Sequence, residues 1–308
     1  MKRHILSILC CCIGCVAVYG QDLRQEIEKT IQDKRAKVGV AVIVGNDTVT
    51  VANDNRYPIM SVFKFHIAVA ALKQMESKGI ALDSMVCIEQ AQIRNNTYSP
   101  MRDKYPNQSV HITYRDIITY TVVLSDNNTC DWLIDFVGGI DNVDAYIQSL
   151  GIRGQHFTET ENDMHIDLMK CYNNWSTPLA IAQLLRKVYT GPVLTEAHFA
   201  FLEETMLRCA SGKDKLLAGL PEGVRIGHKT GHSDRLDNGV QICDADAGVV
   251  YLPNGDKCYV VVLIQDSQES DSENAKMIAD ICRATYQYSA RILGFVAKDD
   301  VDDNGRAE

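Results

Sequence analysis

The hydrophobic pattern of this chain is strand-like near both ends and helical between them. Residues 38–45 and 48–52 are apolar, β-rich runs separated by a Gly-Asn-Asp turn, which predicts a hairpin. Residues 61–209 mainly follow helical periodicity, with short breaks at Gly or Asp. After residue 223 the strand-like pattern returns, and it predicts three strands over 224–229, 239–252 and 258–265.

The helical segments carry start and stop signals. A charged, periodic stretch predicts a first helix over 21–37. A long helix is predicted over residues 61–78, because Gly79 follows as a stop signal. The triplet Ser176-Thr177-Pro178 supplies cap hydroxyls and a first-turn proline for another helix. Residues 272–293 predict the closing helix.

Strands from both ends of the chain, with helices between them, predict one sheet completed by distant segments. We expect an α/β (α+β) fold: an antiparallel five-stranded sheet flanked by helices, with an all-helical lobe beside it. Residues 21–60 and 210–295 would form the sheet lobe of a single domain, and residues 61–209 the mainly helical lobe. The active site would lie in the cleft between the two lobes.

The two termini fall outside this pattern. Residues 1–20 begin with a positive charge and continue as an apolar run too short for a membrane span, which predicts a cleaved signal peptide. Cleavage before Gln21 predicts a periplasmic protein with no stable membrane insertion. The loose lipobox Cys12-Ile13-Gly14-Cys15 leaves lipoprotein anchoring open. Residues 296–308 are acidic and lack apolar anchors, which predicts a disordered tail.

The charge balance is acidic and narrows the range of partners. The formal net charge is −9, and removing Lys2 and Arg3 with the leader leaves 29 of the 31 Lys+Arg against 40 Asp+Glu, or −11. Such a surface argues against a nucleic-acid partner. The eight histidines form no H-x-H or H-E-x-x-H pattern, so neither a metal nor another cofactor is expected. The chain is expected to be a monomer.

Seven of the eleven cysteines lie beyond the leader, and they form no C-x-x-C pair that would indicate zinc. Most fall in apolar runs and are expected to be buried thiols, with at most one or two disulfides. The seven are Cys87, Cys130, Cys171, Cys209, Cys243, Cys258 and Cys282.

A candidate nucleophile stands at the start of the long predicted helix, in the motif Ser61-Val62-Phe63-Lys64. At helical positions i and i+3, the Ser61 hydroxyl and the Lys64 amine share one face, one turn apart. A serine becomes a nucleophile when a neighbouring base takes its proton, and a lysine among apolar groups can be that base. An isolated S-x-x-K is far more often a helix cap followed by a surface lysine, so the motif alone assigns no chemistry.

Two further motifs change this interpretation. Ser125-Asp126-Asn127 follows the helical run 114–124, and Lys229-Thr230-Gly231 ends a predicted strand. Alone, they would be a helix cap and an ordinary strand end. In this order, the three motifs resemble the signature of class A β-lactamases and penicillin-binding proteins. The resemblance covers residues 21–293 and is strongest toward the PER-like and Bacteroidota-type extended-spectrum cephalosporinases.

The resemblance implies a serine hydrolase that opens β-lactam antibiotics, favours cephalosporins and gives resistance. Ser61 would attack the lactam carbonyl with Lys64 beside it, and Ser125 would relay a proton to the departing nitrogen. The oxyanion would be held by the backbone N–H groups of Ser61 and Ser233.

The resemblance also implies a set of substrate-binding residues. Asn127 would hold the side-chain amide of the substrate. Lys229 and Thr230, with His232 nearby, would bind its carboxylate. Gly231 would leave the strand edge bare so that the ligand can pair with it. Tyr98 would form the aromatic wall of the cleft, although a tyrosine in a proline turn could equally serve packing.

A loop glutamate that activates the deacylating water is the fourth element of the family pattern. Glu161 lies 36 residues after Ser125 and 68 before Lys229, which fits the family spacing, whereas Glu159 would be two short. His165 stands where most members have Asn, as in the PER-like branch, and could partner the carboxylate. The alternative is a solvated acidic loop without a catalytic role.

Several positions depart from the family pattern. Glu159 and Asn174 stand where a loop-locking Arg–Asp pair is usual. Met60 replaces the Cys that precedes the nucleophile in many class A carbapenemases, which disfavours that activity. Lys215 could stand in for an arginine near the substrate carboxylate, or it could be a surface lysine.

Two other functions stay open from the sequence. A D,D-peptidase or penicillin-binding protein shares the first and third motifs but is trapped by penicillin. A non-hydrolytic penicillin-sensing domain is acylated without turnover. A glutamate placed for deacylation favours the hydrolase. Whether Lys64 or Glu161 deprotonates Ser61 is left open, as it is for the class.

Overall fold

The fold is described by a computed structural model over residues 20–296. The predicted signal peptide and acidic tail lie outside the described residues, apart from residues 20 and 296. Within the described range the strands are β1 (Lys37–Val44), β2 (Asp47–Val51), β3 (Tyr57–Pro58), β4 (Met85–Ile88), β5 (Val110–Thr113), β6 (Gln155–His156), β7 (Trp175–Ser176), β8 (Arg225–His232), β9 (Gln241–Tyr251) and β10 (Lys257–Ser267). The helices are α1 (residues 20–31), α2 (Phe63–Lys78), α3 (Pro100–Lys104), α4 (Tyr114–Val123), α5 (Asn127–Val137), α6 (Ile140–Ser149), α7 (Glu161–Ile166), α8 (Pro178–Thr190), α9 (Glu196–Leu207) and α10 (Asp271–Leu293).

The main sheet has five antiparallel strands in the order β2-β1-β10-β9-β8. It joins strands from both ends of the chain, with Val40 opposite Val262 in the β1–β10 pair. The edge strand β8 carries the K-T-G motif, with Gly231 opposite Ala245 of β9. This sheet, with helices around it, confirms the predicted α/β (α+β) fold.

Each face of the sheet contributes to a separate apolar core, because successive side chains of a strand point to opposite faces. In β1, Ala41 and Ile43 belong to the core shared with the central helices. Val40, Val42 and Val44 belong to the core on the other face, which α1 and α10 cover. A strand buried on both faces reads as a continuous apolar run, which is the pattern that predicted β1.

Helix α2 is the central helix of the molecule and is almost completely buried over residues 63–72. A helix buried on all sides needs few polar residues, so Lys64 and His66 within it stand out as polar side chains in an apolar core. The helix ends as predicted, at Gly79 in the left-handed conformation with φ 64°. Helix α8 begins at Pro178 after the Thr177 cap, also as predicted.

The structure corrects one predicted boundary and adds elements. The first helix ends at residue 31, not 37, because Asp33 adopts a left-handed turn with φ 63° and Lys37 already belongs to β1. Two small sheets, β3-β7-β6 and β4-β5, were not predicted, since their strands are only two to four residues long. No helix within residues 20–296 is both long and apolar enough to cross a membrane. The lobe boundaries at residues 60 and 209 remain a prediction.

Candidate active site

Ser61 lies in a single 3-10 turn, Met60–Val62, that leads directly into α2. Met60 holds a positive φ of 41°, an uncommon conformation for a residue other than glycine and one that often marks a functional site. The Ser61 hydroxyl, half-buried in the cleft, donates a hydrogen bond to Glu161 Oε1 at 3.5 Å. The nucleophile candidate therefore faces a carboxylate that can accept its proton.

Lys64 is fully buried one turn further along the helix. Its ammonium group donates to the Ser125 carbonyl at 2.7 Å and to Asn127 Oδ1 at 2.6 Å, and it pairs with Glu161 Oε1 at 2.9 Å. Burial disfavours the charged form, but attraction to Glu161 outweighs it, so the pKa of Lys64 lies above its usual value. In this arrangement Lys64 is an ammonium ion at neutral pH.

Ser125 lies between the two lysines of the site. Its hydroxyl oxygen is 3.3 Å from Lys64 Nζ and 3.1 Å from Lys229 Nζ, so it accepts from both ammonium groups. Ser125 has φ 59°, a second strained residue beside the cleft. With two donors on its oxygen, the hydroxyl proton of Ser125 is free to point toward a bound ligand.

The second and third residues of the S-D-N motif hold this arrangement in place. Asp126 is completely buried; its carboxylate caps α5 through Thr129 N at 2.9 Å and accepts from Ser99 Oγ at 2.8 Å. Asn127 links Lys64 to Thr97, whose hydroxyl accepts from Asn127 Nδ2 at 2.9 Å. The helix-cap reading and the active-site reading of this motif are therefore compatible.

Glu161 is the first residue of α7, after the Thr160 cap, and is buried. Its backbone N–H donates to Asp131 Oδ1 at 2.8 Å, and the next N–H, of Asn162, donates to Asp131 Oδ2 at 3.1 Å. Burial, reinforced by the Glu161 charge, raises the pKa of Asp131 to about 7, although Arg94 pairs with it at 2.7 Å. The buried Asp131 carboxyl thus holds the backbone that carries Glu161.

His165 lies on the same short helix but at its exposed end. It lines the cleft, yet within residues 20–296 no hydrogen bond joins it to Glu161. The expected carboxylate–His165 contact is therefore not formed here, and the backbone interaction of Asp131 orients Glu161 instead.

Lys229 and Thr230 form the opposite wall of the site, on the edge strand β8. Complete burial, with Lys64 nearby, lowers the pKa of Lys229 to about 8, although a neighbouring thiol, Cys209, opposes this shift. The Thr230 hydroxyl lies 2.6 Å from Ser211 Oγ. Two hydroxyls and an ammonium group together make a site suited to a carboxylate.

Glycine is required at position 231 by the packing of β8 against the Ser61 turn as well as by the access of a ligand to the strand edge. A Cβ atom at this position would lie 2.4 Å from the carbonyl oxygen of Ile59, in the segment that leads to Ser61. Because no real Cβ tolerates that distance, any side chain here would push the nucleophile turn away from β8.

The expectation that Ser233 supplies the second oxyanion donor is wrong. The Ser233 N–H donates to the Cys243 carbonyl of β9 at 3.0 Å, and its hydroxyl accepts from Cys243 N at 3.0 Å. N–H groups of successive residues point to opposite sides of a strand. The N–H directed to the open edge of β8 therefore belongs to His232, whose side chain is exposed.

These residues surround a cavity of about 690 Å³. Its lining includes the predicted Ser61, Tyr98, Ser125, Asn127, Glu161, His165, Thr230, His232 and Ser233. Tyr98 is mostly exposed at the rim, while its carbonyl accepts from Asn127 N at 3.0 Å. Lys64 and Lys229 lie behind the lining, buried, and reach the cavity through Ser125.

Lys215 is neither a free cation nor a surface lysine. It is buried and pairs with the buried Asp244, which also lies 3.4 Å from His232 Nδ1. Because Asp244 neutralises the Lys215 charge, Lys215 is a poor substitute for a substrate-binding arginine.

Three residues of the site were not predicted: Thr97, Asp131 and Ser211. Asp131 carries only a weak signal: it lies between Cys130 and Trp132, but the same helix also contains Asp135. Thr97 and Ser211 lie in loops and touch the site only through contacts between distant segments, so no local pattern marks them.

Sequence comparison supports one family. The family model described as "Beta-lactamase enzyme family" matches residues 22–289. A β-lactamase of Bacteroides uniformis is 40% identical over 93% of this chain and 99% of its own length. The extended-spectrum β-lactamase PER-1 of Pseudomonas aeruginosa is 32% identical over 88% of each chain.

Structure comparison agrees. A class A β-lactamase from Bacteroides cellulosilyticus superposes with a TM-score of 0.86 at 43% identity, covering 88% of this chain and 98% of that one. The extended-spectrum β-lactamase TLA-3 superposes with a TM-score of 0.85 at 38% identity, covering 87% and 98%.

Proposed function

Because the chain belongs to the class A branch of the beta-lactamase enzyme family, we propose that it opens β-lactam rings through a covalent acyl-enzyme on Ser61. The chain is a hydrolase of β-lactams and thereby a source of antibiotic resistance. Its residues take part in two steps, the acylation of Ser61 and the release of the acyl group by water.

In the first step, the Ser61 oxygen attacks the lactam carbonyl as its proton leaves. Lys64 is a poor first base, because its three protons are shared among four acceptors, two of them on Ser125, and its pKa lies above the usual value. Glu161 accepts the Ser61 hydroxyl at 3.5 Å and is the better base in this geometry. The nearby Lys64 charge stabilises the oxygen as it becomes nucleophilic.

The tetrahedral intermediate carries a negative oxygen and a departing nitrogen. The N–H groups of Ser61 and His232 would hold the oxyanion, the second because it points to the open edge of β8. The Ser125 hydroxyl donates its proton to the lactam nitrogen. Lys64 and Lys229, which donate to the Ser125 oxygen, favour that transfer and can replace the proton afterwards.

Before the second step, Glu161 passes the Ser61 proton to Lys64, which has given its own proton to Ser125. The restored Glu161 carboxylate then takes a proton from a water molecule that attacks the acyl carbonyl. One observation carries this assignment: the buried Glu161 carboxylate lies within reach of both Ser61 Oγ and Lys64 Nζ. A D,D-peptidase or a penicillin-sensing domain performs the first step, and only this carboxylate distinguishes the hydrolase from them.

Replacing Glu161 by Gln separates the two steps. We expect the Glu161→Gln variant to lose at least about a thousandfold in kcat, because a neutral amide cannot take a proton from the attacking water. A covalent adduct on Ser61 should accumulate, because Lys64 without its Glu161 ion pair can still act as the base for acylation. Intact-protein mass spectrometry after mixing with a chromogenic cephalosporin detects the adduct.

The matched control is Glu159→Gln, two residues earlier on the same loop. Glu159 faces Lys170 at 3.1 Å and not Ser61, so its variant should still turn over without adduct. Unimpaired turnover by Glu161→Gln would remove Glu161 from the mechanism. A wild-type enzyme that forms one stoichiometric adduct and stops would contradict the hydrolase assignment itself.

Substrate recognition follows from the two ends of the cleft. Lys229, Thr230 and Ser211 would bind the substrate carboxylate, and Asn127 its side-chain amide. Tyr98 lines the cleft and is largely exposed. Ile166 and Met169, which adjoin the lining residues His165 and Leu168 in the chain, are also exposed apolar side chains. This rim supports a preference for cephalosporins with large substituents. Comparing kcat/KM for a penicillin, an oxyimino-cephalosporin and a carbapenem tests this preference for the cephalosporin.

The cellular setting rests on the leader. We infer a periplasmic, monomeric enzyme that begins at Gln21, binds no nucleic acid and has no stable membrane insertion. N-terminal sequencing of the exported protein distinguishes cleavage before Gln21 from a lipid-modified Cys15. Light scattering of the purified enzyme tests the monomer.

A further inference from the structure

A thiol, an imidazole and a carboxylate lie together behind the carboxylate end of the cleft. Cys209 follows α9, His228 precedes Lys229 on β8, and Asp246 lies on the neighbouring strand β9. His228 Nδ1 is 2.9 and 3.0 Å from the two oxygens of Asp246, and both side chains are buried. The proposed hydrolysis uses none of these three groups.

The thiol is held between this pair and the wall of the cleft. His228, whose Nδ1 is held by Asp246, lies close enough to Cys209 for the two side chains to interact. On its other side, the Cys209 sulfur lies 3.5 Å from Ser211 Oγ. Unlike the five buried cysteines of the described chain, Cys209 is partly exposed.

The surrounding charges favour the thiolate. Burial raises the pKa of Cys209, but the hydrogen bond and charge of His228, with Lys229 adding to them, outweigh burial and lower it to about 7. Burial also disfavours the His228 imidazolium, yet Asp246 outweighs that and raises its pKa to about 10. A thiolate–imidazolium pair supported by a carboxylate is an arrangement that activates cysteine as a nucleophile.

The thiol is also coupled to substrate binding. Ser211 touches Cys209 on one side and Thr230, at 2.6 Å between the hydroxyls, on the other. Ser211 and Thr230 line the cleft where the substrate carboxylate would bind. A group attached to Cys209 would displace Ser211 and, through it, Thr230.

We propose that Cys209, with His228 and Asp246, is a modification site for small disulfides, and that its modification lowers the affinity of the cleft for substrate. The effect on affinity rests on the proposed function, whereas the reactivity does not. The Cys209 thiolate attacks one sulfur of R–S–S–R; a new S–S bond forms as the old one breaks, and R–S⁻ leaves and takes up the proton that the thiol released. The cysteine is oxidised and the reagent reduced, with no other reactant.

Cys87 provides an internal control. It is also partly exposed, but burial and the neighbouring Glu89 raise its pKa above the ordinary 9.0. At pH 7 about half of a thiol with pKa 7 is thiolate, against about one hundredth of an ordinary one. The lower-pKa sulfur is intrinsically about eightfold less nucleophilic, so the expected net advantage is about fivefold or more. The other five cysteines beyond the leader are buried.

The test treats folded enzyme beginning at Gln21 with 5,5′-dithiobis(2-nitrobenzoate) and assigns the modified cysteine by peptide mass spectrometry. We expect Cys209 to react at least about fivefold faster than Cys87 at pH 7, with a rate that rises to a plateau through about pH 7. The charged groups that set this midpoint are His228 and Lys229 on β8 and Asp246 on β9. The His228→Asn variant should move the midpoint upward by more than one pH unit.

The wild-type pH profile keeps the test decisive even if His228→Asn does not fold. Equal or faster reaction of Cys87, or a Cys209 midpoint near 9, would overturn the proposed reactivity.

Modified wild type should show a KM at least about threefold higher, reversed by dithiothreitol, while Cys209→Ser should be active and insensitive to the reagent. Selective modification with unchanged KM would overturn the coupling to the cleft. An enzyme that labels selectively but hydrolyses no lactam would contradict the proposed function alone.

Discussion

Among the residues proposed to bind the substrate carboxylate, Lys229 is the one whose charge changes at mildly alkaline pH. Its pKa of about 8 follows from complete burial and from Lys64, so its ammonium form is lost as the pH rises through about 8. Since the ammonium form binds the substrate carboxylate and supports Ser125, kcat/KM should fall on the alkaline side with an apparent pKa near 8. Measuring kcat/KM from pH 5.5 to 10 tests this.

An arginine at the same position gives the decisive comparison, because a guanidinium group keeps its proton. Lys229→Arg should move the alkaline limb above about pH 9, whatever its activity at pH 7. Lys213→Arg, at an exposed lysine, should leave the profile as it is. A wild-type limb that stays flat to pH 10 would show that Lys229 does not control it.

His66 is a buried imidazole whose two ring nitrogens have no hydrogen-bond partner within the described residues. It packs edge-on against Phe157 with ring centroids 5.0 Å apart, and complete burial lowers its pKa to about 3. The unfolded chain binds the proton at about 6.5, so this residue costs stability as the pH falls below that value. At pH 4.5 the cost is about 2.5 kcal/mol.

The prediction is that His66→Leu lowers the pH dependence of stability on the acid side. The free energy of unfolding in urea, measured at pH 7 and 4.5, should fall by about 2.5 kcal/mol less in this variant than in the wild type. In His111→Leu, at an exposed histidine of β5, the free energy of unfolding should fall as much as it does in the wild type. Equal pH dependence in all three proteins would show that His66 is protonated in the folded state.

The loop over residues 158–174 is the element that carries Glu161, and it is held without the family's usual Arg–Asp pair. Asn174 Oδ1 accepts from the backbone N–H groups of Thr158 and Glu159 at 2.8 and 2.9 Å, and its amide donates to the Glu159 carbonyl at 2.8 Å. Glu159 in turn pairs with Lys170 across the loop at 3.1 Å. A buried amide and a half-exposed ion pair replace the missing pair.

Replacing Asn174 by Ala should therefore loosen the loop. It removes the partner of the Thr158 and Glu159 N–H groups and of the Glu159 carbonyl, and we expect a loss of about 2–3 kcal/mol in the free energy of unfolding. Faster amide exchange at Thr158 and Glu159 and a slower deacylation step would accompany it. Asn162→Ala, whose side chain makes no hydrogen bond within residues 20–296, should cost under about 1 kcal/mol. Unchanged exchange in Asn174→Ala would contradict this account of the loop.

Motif order and hydrophobic period were enough to predict the five strands of the main sheet, the long helices and most of the site. The three motifs predicted Ser61, Lys64, Ser125 and Lys229, which the structure brings together, because each motif sits where an element begins or ends. Long apolar runs predicted β1, since only a strand covered on both faces tolerates them.

The remainder depended on contacts that no local pattern encodes. The direction of the Ser233 N–H follows from the β8–β9 pairing, so the sequence-based choice of oxyanion donor failed. Asp131 and Ser211 act on Glu161 and Thr230 across 30 and 19 residues of chain. The choice between His165 and Asp131 as the group that orients Glu161 likewise required the three-dimensional arrangement.

At the scale of the whole molecule, no disulfide bond joins the cysteines of residues 20–296. All seven cysteines within the described residues are free, including the five that are buried. The melting temperature should therefore be the same with and without millimolar dithiothreitol, because no disulfide contributes to stability. Thiol titration of the denatured enzyme beginning at Gln21 should give seven groups; five or fewer, with a lower melting temperature in reductant, would reveal a disulfide.

The strand order also determines when the molecule can fold. β10, at the centre of the β2-β1-β10-β9-β8 sheet, is made after every other strand, and its pairing with β1 joins Val40 to Val262. Until residue 267 has left the ribosome, the central strand β10 cannot pair with β1 and β9. Closing a loop of this length is entropically costly and slow. The main sheet can therefore close only after β10 has been made, so a shorter growing chain lacks the complete wall that carries Lys229 and Thr230.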